Sequence, residues 1–213
     1  MCKKYVINCI VLISSIFSVN ANELQHNFKT YEPTKTPFAL QPIVEGLNYP
    51  WALTFLDTKN LLVTEKNGGL IRINIESGDK KIIQHDIKHI PYLGGHQGGL
   101  LDVYFNGDDS FVYFTYSHKS LKNNKLSSSA IARGNLTDNK IINLETLLVA
   151  KPPLPAKKHY GSRISIKDKH LFVSFGERDE GMIAQDPSKH PGSIIRIKTN
   201  GEIPKDNPKF IDK

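Results

Sequence analysis

From residue 38 onward, short runs of apolar and β-branched residues alternate with clusters of Gly, Asn, Asp and Lys, and no stretch carries the i, i+3, i+4 apolar spacing of an amphipathic helix. The pattern predicts an all-β chain of consecutive antiparallel strands. A first meander runs 51–56, turn 57–60, 61–65, turn 66–69 and 70–75, with Asn-Gly-Gly chemistry in its second turn. A second runs 100–105, turn 106–110 and 111–116, and resumes after a polar loop at 128–134. A third runs 162–166, turn 167–169, 170–175, a long loop and 192–197. Segments 81–84 and 142–149 fit as outer fourth strands, and 39–44 as an outer strand that closes a ring.

The second strands of the three meanders begin near Leu61, Phe111 and His170, at intervals of 50 and 59 residues. A strand–turn–strand unit that repeats at about this period predicts a β-propeller with loop insertions between blades. Propellers carry roughly 4–8 blades, and about three are legible, so the expected form is an incomplete ring truncated at its C-terminus. Its open strand edges would invite pairing or aggregation. The competing architecture is a complete β-sandwich of about ten strands.

Composition narrows the chemistry. With 39% apolar and 23% charged residues, collagen, coiled coil and wholesale disorder are excluded. Both cysteines, Cys2 and Cys9, fall in a leader: Lys3 and Lys4, an apolar stretch over 5–19 and the triplet Val19-Asn20-Ala21 form a signal peptide over 1–21. Asn8, Ser14, Ser15 and Ser18 interrupt that stretch, which argues against a membrane anchor. The reading is export to the periplasm, an extended segment over 22–37 and the propeller over 38–213. A body without cysteine excludes a disulfide scaffold, a thiolate zinc site and a cysteine nucleophile. The net charge of +7 rests on scattered lysines without an arginine stripe or interleaved aromatics, so nucleic acid is not an expected partner.

Polar groups gather where meanders begin or their strands end, the functional addresses of a propeller. In Gly94-Gly-His-Gln-Gly-Gly99, glycines admit a flat ligand and Gln97 offers an amide; the plain alternative is a flexible inter-blade loop. His159, just before the third meander, has the chemistry of a general base, although most single histidines have none. The acids of Phe175-Gly-Glu-Arg-Asp-Glu180 can bind hydroxyls, orient a base, or belong to a solvated loop. His85 and His89 have i,i+4 spacing on a strand-like segment with no intervening Glu, so zinc is not predicted. Trp51 is read as packing between blades and Glu65 as satisfying buried backbone groups. No Walker loop, dinucleotide fingerprint or Gly-x-Ser-x-Gly elbow is present.

Several of these segments, in order, resemble the soluble aldose sugar dehydrogenases that use pyrroloquinoline quinone (PQQ), the family of soluble quinoprotein glucose dehydrogenase. They are Leu47-Asn-Tyr-Pro-Trp-Ala-Leu-Thr-Phe-Leu56, Leu61-Leu-Val-Thr-Glu-Lys66, Gln97-Gly-Gly-Leu-Leu-Asp-Val103, His159-Tyr-Gly-Ser-Arg-Ile164 and the stretch from Ala184-Gln-Asp186 to Gly201-Glu-Ile-Pro-Lys-Asp-Asn-Pro208. The resemblance covers about 40–213 and implies a six-bladed propeller of nearly twice this length. It implies that His159 takes the proton of an anomeric hydroxyl while hydride passes to the quinone, that Gln97 contacts the cofactor, and that Glu177 is a carboxylate beside the base. It places the family's cofactor arginines and calcium-supporting positions after residue 213, so no metal ligand is assigned here and the chain alone is expected to be inactive. Lys158 stands where relatives often have Asp or Asn, a like charge beside the base. Implied partners are an aldose and an electron acceptor of unknown identity, and a homodimer of the full-length parent is left open. The alternatives are a noncatalytic propeller that binds glycan or protein, and a propeller lactonase. Convergence of Gln97 and His159 favours the dehydrogenase, and a central calcium held by Asp, Asn and Glu favours the lactonase.

Overall fold

The computed structural model describes residues 41–92 and 94–209. The leader, the 22–37 segment and both cysteines lie outside the described residues. Among these there is no α-helix, only a 3-10 turn over Gly181–Gln185. Eleven strands form three antiparallel sheets. The first is β1 (Pro50–Phe55), β2 (Asn60–Glu65), β3 (Leu70–Asn74) and β4 (Lys80–Ile82), and the second is β5 (Leu100–Asn106), β6 (Phe111–Lys119), β7 (Ser127–Leu136) and β8 (Ile141–Val149). The third is β9 (Gly161–Lys167), β10 (His170–Phe175) and β11 (Ile194–Lys198). Strand order within every sheet follows chain order, so each is a meander. A sandwich of the Greek-key kind needs strands that cross between sheets, and none does. The three sheets are blades of a partial β-propeller.

The expected outer strand over 39–44 is not formed in its described part: residues 41–44 are irregular. Val44 instead packs with Leu47 on Leu61, Val63, Ile71 and Ile73, the face of the first blade turned away from the second. A hydrophobic cover suffices there, and no ladder is made.

Alternating side chains send each strand's two faces into different cores. Leu62 and Leu70 of the first blade meet Val112, Phe114 and Tyr116 of β6, while Tyr113 and Ile131 face Ile164, Val173 and Ile197 of the third. Sandwiched on both sides, β6 is buried along nearly its whole length, which is why its sequence reads as a continuous run.

A repeated irregularity joins the blades. Each innermost strand carries a bulge, at 50–52 in β1, at 100–103 in β5 and opposite Val173 to Phe175 in β9. Opposite each bulge the second strand places a hydroxyl, Thr64, Thr115 or Ser174. The hydroxyl accepts the N–H of Ala52 (3.3 Å), Asp102 (2.9 Å) or Arg163 (3.1 Å) of its own blade. The first two then donate across to the next blade's bulge, Thr64 to the carbonyl of Leu101 (2.5 Å) and Thr115 to that of Ser162 (2.8 Å). Asp102 adds a second link: its buried carboxylate accepts the Ile164 N–H at 2.6 Å and Arg163 at 2.8 Å. Burial pushes the Asp102 carboxyl up, against the Ile164 N–H and Arg163, which hold it down.

Thr115→Val keeps the shape and removes both bonds, leaving two buried backbone groups unpaired. At roughly 1–3 kcal/mol for each such group, the expected loss is about 2–6 kcal/mol by urea unfolding, with Thr115→Ser close to wild type. Equal stability of the Val and Ser variants would refute the link.

Candidate active site

Antiparallel pairing sets the end of β10 beside the start of β9, with Phe175 opposite Gly161, and the Thr115 bond holds that corner against the second blade. Three loops therefore meet at one end of the sheets: the loop entering β5 with Gln97, the loop entering β9 with His159, and the loop leaving β10 with Glu177. Gln97 Oε1 accepts the His159 backbone N–H at 2.8 Å, and Lys157 O accepts the Gln97 N–H at 2.9 Å. Residues 62 positions apart are thus in direct contact.

His159 is fixed from every side. Its φ of +53° lies in the left-handed region, unusual for a residue with a side chain, and its carbonyl accepts the Arg178 N–H at 3.3 Å. Gly176 lies flat against that carbonyl, where a Cβ would collide with it. The imidazole Nδ1 is hydrogen-bonded to Glu177 Oε1. That bond, chiefly, holds Glu177 below the usual carboxylate range, so at neutral pH Glu177 is an ionised acceptor and Nδ1 carries the proton. Nε2 is left as the basic nitrogen, without a hydrogen-bond partner among the described residues, on a side chain 40% exposed. A carboxylate-anchored imidazole with a free Nε2 is the arrangement of a general base.

The like charge beside His159 is answered locally, because Lys158 Nζ pairs with Asp179 Oδ2 at 3.0 Å. His159, Glu177 and Asp179 bring donor atoms within 4.8 Å of one another, but these are already engaged with each other and with Lys158. One imidazole and two carboxylates fall short of the six to eight oxygens that calcium takes.

Gln97, Lys157 and Lys158 line an open cleft with Tyr92, Gly95 and Asp179. Beside it, Lys66 Nζ sits 3.8 Å from the centre of the Tyr92 ring and 5.7 Å from that of Trp51, and burial pushes its pKa down. The glycine segment divides in two. Gly94 and Gly95 face open space, while Gly98 and Gly99 press on Ser117, Tyr160 and the Lys66 backbone, where no side chain fits. His96 staples the loop: it accepts the Gly98 N–H on Nδ1 (3.1 Å) and therefore donates from Nε2 to Pro91 O (3.2 Å).

Trp51 does not pack between blades. It is 46% exposed and lines a second opening with Asp102, Gly161, Arg163 and Ser174, because the β1 bulge turns it out of the sheet alternation. Glu65 is buried and accepts the Asn48 N–H at 2.5 Å, a structural role. His85 donates to Gly68 O (2.8 Å) and accepts from Ile87 N (3.2 Å), so both nitrogens serve the backbone.

Two residues were not singled out from the sequence. Asp102 had a signal, being the one charge in the apolar run 100–105. Arg178 had none, since it is flanked by acids in a loop and reads as solvated, yet it is 2% exposed.

Comparison with known proteins bears on this arrangement. The glucose/sorbosone dehydrogenase family model matches residues 47–213. Aldose sugar dehydrogenase YliI of Escherichia coli is 30% identical over 177 residues, covering 79% of this chain and 46% of its own length. Quinoprotein glucose dehydrogenase B of Acinetobacter calcoaceticus is 26% identical over 200 residues, covering 81% and 42%. The PQQ-bound form of aldose sugar dehydrogenase from Streptomyces coelicolor superposes with a TM-score of 0.69 at 26% identity, covering 80% of this chain and 50% of that one. The chain spans about half the length of the relatives it matches.

A carboxyl held low in the folded state contributes stability that is complete above its unfolded pKa and vanishes as pH falls through the folded one. Glu177 is such a group. The stability difference between wild type and Glu177→Gln is therefore expected to shrink as pH falls below the ordinary carboxylate value of 4.5. Urea midpoints at several acid pH values measure it, and a difference that does not shrink on acidification would contradict the ionised pairing.

Proposed function

Because the chain belongs to the glucose/sorbosone dehydrogenase family, we propose that it carries the base and a cofactor contact of a PQQ-dependent aldose dehydrogenase that oxidises an anomeric hydroxyl to a lactone. One observation carries the reading: the Gln97 side chain and the His159 backbone are hydrogen-bonded, and Glu177 holds the His159 ring with Nε2 free. In this reading Met1 to Ala21 is an export leader and the site of action is the periplasm.

The residues present fit a flat, anionic quinone. Lys157 supplies a cation at the cleft, the Gln97 amide has an N–H pair not engaged by the described residues, and Gly95 leaves its side of the cleft open. When bound, PQQ would supply the hydride acceptor. His159 Nε2 takes the hydroxyl proton as the C1–H bond gives up its electron pair. Glu177 faces the imidazolium that results and offsets its charge through the Nδ1–H bond. Gln97, through the His159 N–H, ties the backbone of the base to a residue that lines the cleft. The calcium implied by the resemblance is not assigned to these residues, whose donors are engaged.

Titration with PQQ, followed by fluorescence of Trp51, the one tryptophan of the chain, is the direct test. Saturable quenching is expected, weakened about tenfold in Gln97→Ala, as for loss of one hydrogen bond. Any aldose-dependent dye reduction with PQQ and Ca²⁺, in this chain or a longer one that contains it, should fall about 10²–10⁴-fold in His159→Ala. Unchanged turnover would sink the base assignment. The 213-residue chain alone is expected to show no turnover.

A further inference from the structure

We propose that Arg178 is the positioning residue of the base: its guanidinium clamps the backbone on both sides of His159 and so fixes which imidazole nitrogen Glu177 holds and which is left free. The inference rests on the reading of His159 as the base, although its test needs neither sugar nor quinone.

Arg178 is among the largest fully buried side chains of the protein. Its Nε donates to Lys158 O at 3.0 Å and its Nη1 to Ser127 O at 2.9 Å. Nη2 donates to Ser127 Oγ at 2.8 Å and to Ala156 O. The face of the fork lies on the Tyr160 ring, with Cζ 3.7 Å from the centroid. Tyr160 is itself held by Ser127 Oγ at its hydroxyl (2.9 Å) and by Ser129 Oγ at its carbonyl (2.8 Å). Residues 156, 158 and 160 are thus gripped by one planar cation anchored to β7, and the backbone N–H of Arg178 takes the carbonyl of the residue between them, His159.

Packing alone does not account for this. Every side-chain hydrogen bond of Arg178 goes to a neutral oxygen, whereas buried charges are ordinarily paired with a carboxylate. Burial pushes the guanidinium pKa down, opposed by Tyr160 and Glu177. An apolar side chain would fill the space at lower desolvation cost. What only a guanidinium provides is several donors in one plane with a stackable face, which a lysine cannot reproduce. The conformations agree: His159 and Arg178 both sit in the left-handed region, at φ +53° and +59°, and such backbone persists only where its surroundings over-determine it. The residue next to Glu177 in the chain thereby sets the loop that brings Nδ1 to Glu177.

The test is long-range ¹H–¹⁵N NMR of the imidazoles in the 213-residue protein, with the His159 signals assigned by their loss in His159→Gln. Wild type should show one tautomer protonated on Nδ1, and Glu177→Gln gives the pattern without the carboxylate. In Arg178→Lys and Arg178→Gln the amide signals of β5, β6 and β9 should persist, while the minor tautomer of His159 rises from under roughly a tenth to more than about a third. A folded Arg178 variant that keeps the wild-type tautomer overturns the proposal. If neither variant folds, Ser127→Ala, which removes one acceptor of the clamp, is read by the same two outcomes. Failure of PQQ binding or turnover would count against the dehydrogenase reading and leave this measurement unaffected.

Discussion

The carbonyls of Leu101 and Ser162 lie in strand bulges at the inner edge of their blades, in fully buried residues. A bulge takes backbone groups out of the ladder, and buried backbone groups without partners are costly. Thr64 and Thr115 meet that constraint from the neighbouring blade, each with one hydroxyl that accepts from its own inner strand and donates to the next. Hydrophobic contact between blades is tolerant of sliding, whereas this bond is not. It fixes the level at which the second and third blades meet, and hence the level of the loops that enter β5 and β9.

The chemistry of the site follows from that registration. With the loop ends at one height, the Gln97 carbonyl reaches the His159 N–H, and the end of β10 brings Glu177 to the imidazole. Charge is handled in three ways. At the surface Lys158 meets Asp179; of two buried charges, Asp102 is held by Arg163 and a backbone N–H, and Arg178 is surrounded by neutral acceptors and an aromatic face. The first and third hold the loop that enters β9, the second ties β5 to β9, and one nitrogen of His159 is left free.

Strand positions were legible because each blade's strands are either alternating or continuously apolar between turn residues; β10 was read to the residue, and most others within one or two. The misreadings have local causes. In the irregular segment 41–44, Val44 covers a sheet face without joining it, and composition does not distinguish cover from strand. Trp51 was assigned to the interior by hydrophobicity, but a bulge reverses its side. The glycine segment suggested one role and has two, since what a glycine leaves room for depends on what lies across from it.

The sequence by itself determined the strands, the meander order and the residue types available for proton transfer, because all three depend on periodicity, turn chemistry and side-chain identity. Its resemblance to a family also singled out Gln97, His159 and Glu177. Only the tertiary structure decided that these three touch, that Asp102 and Arg178 are buried supports, and which nitrogen of His159 is free. Those properties arise from contacts between blades and between loops of one blade, from hydrogen bonds spanning 18 to 62 residues, and no local pattern in a chain encodes a partner that distant.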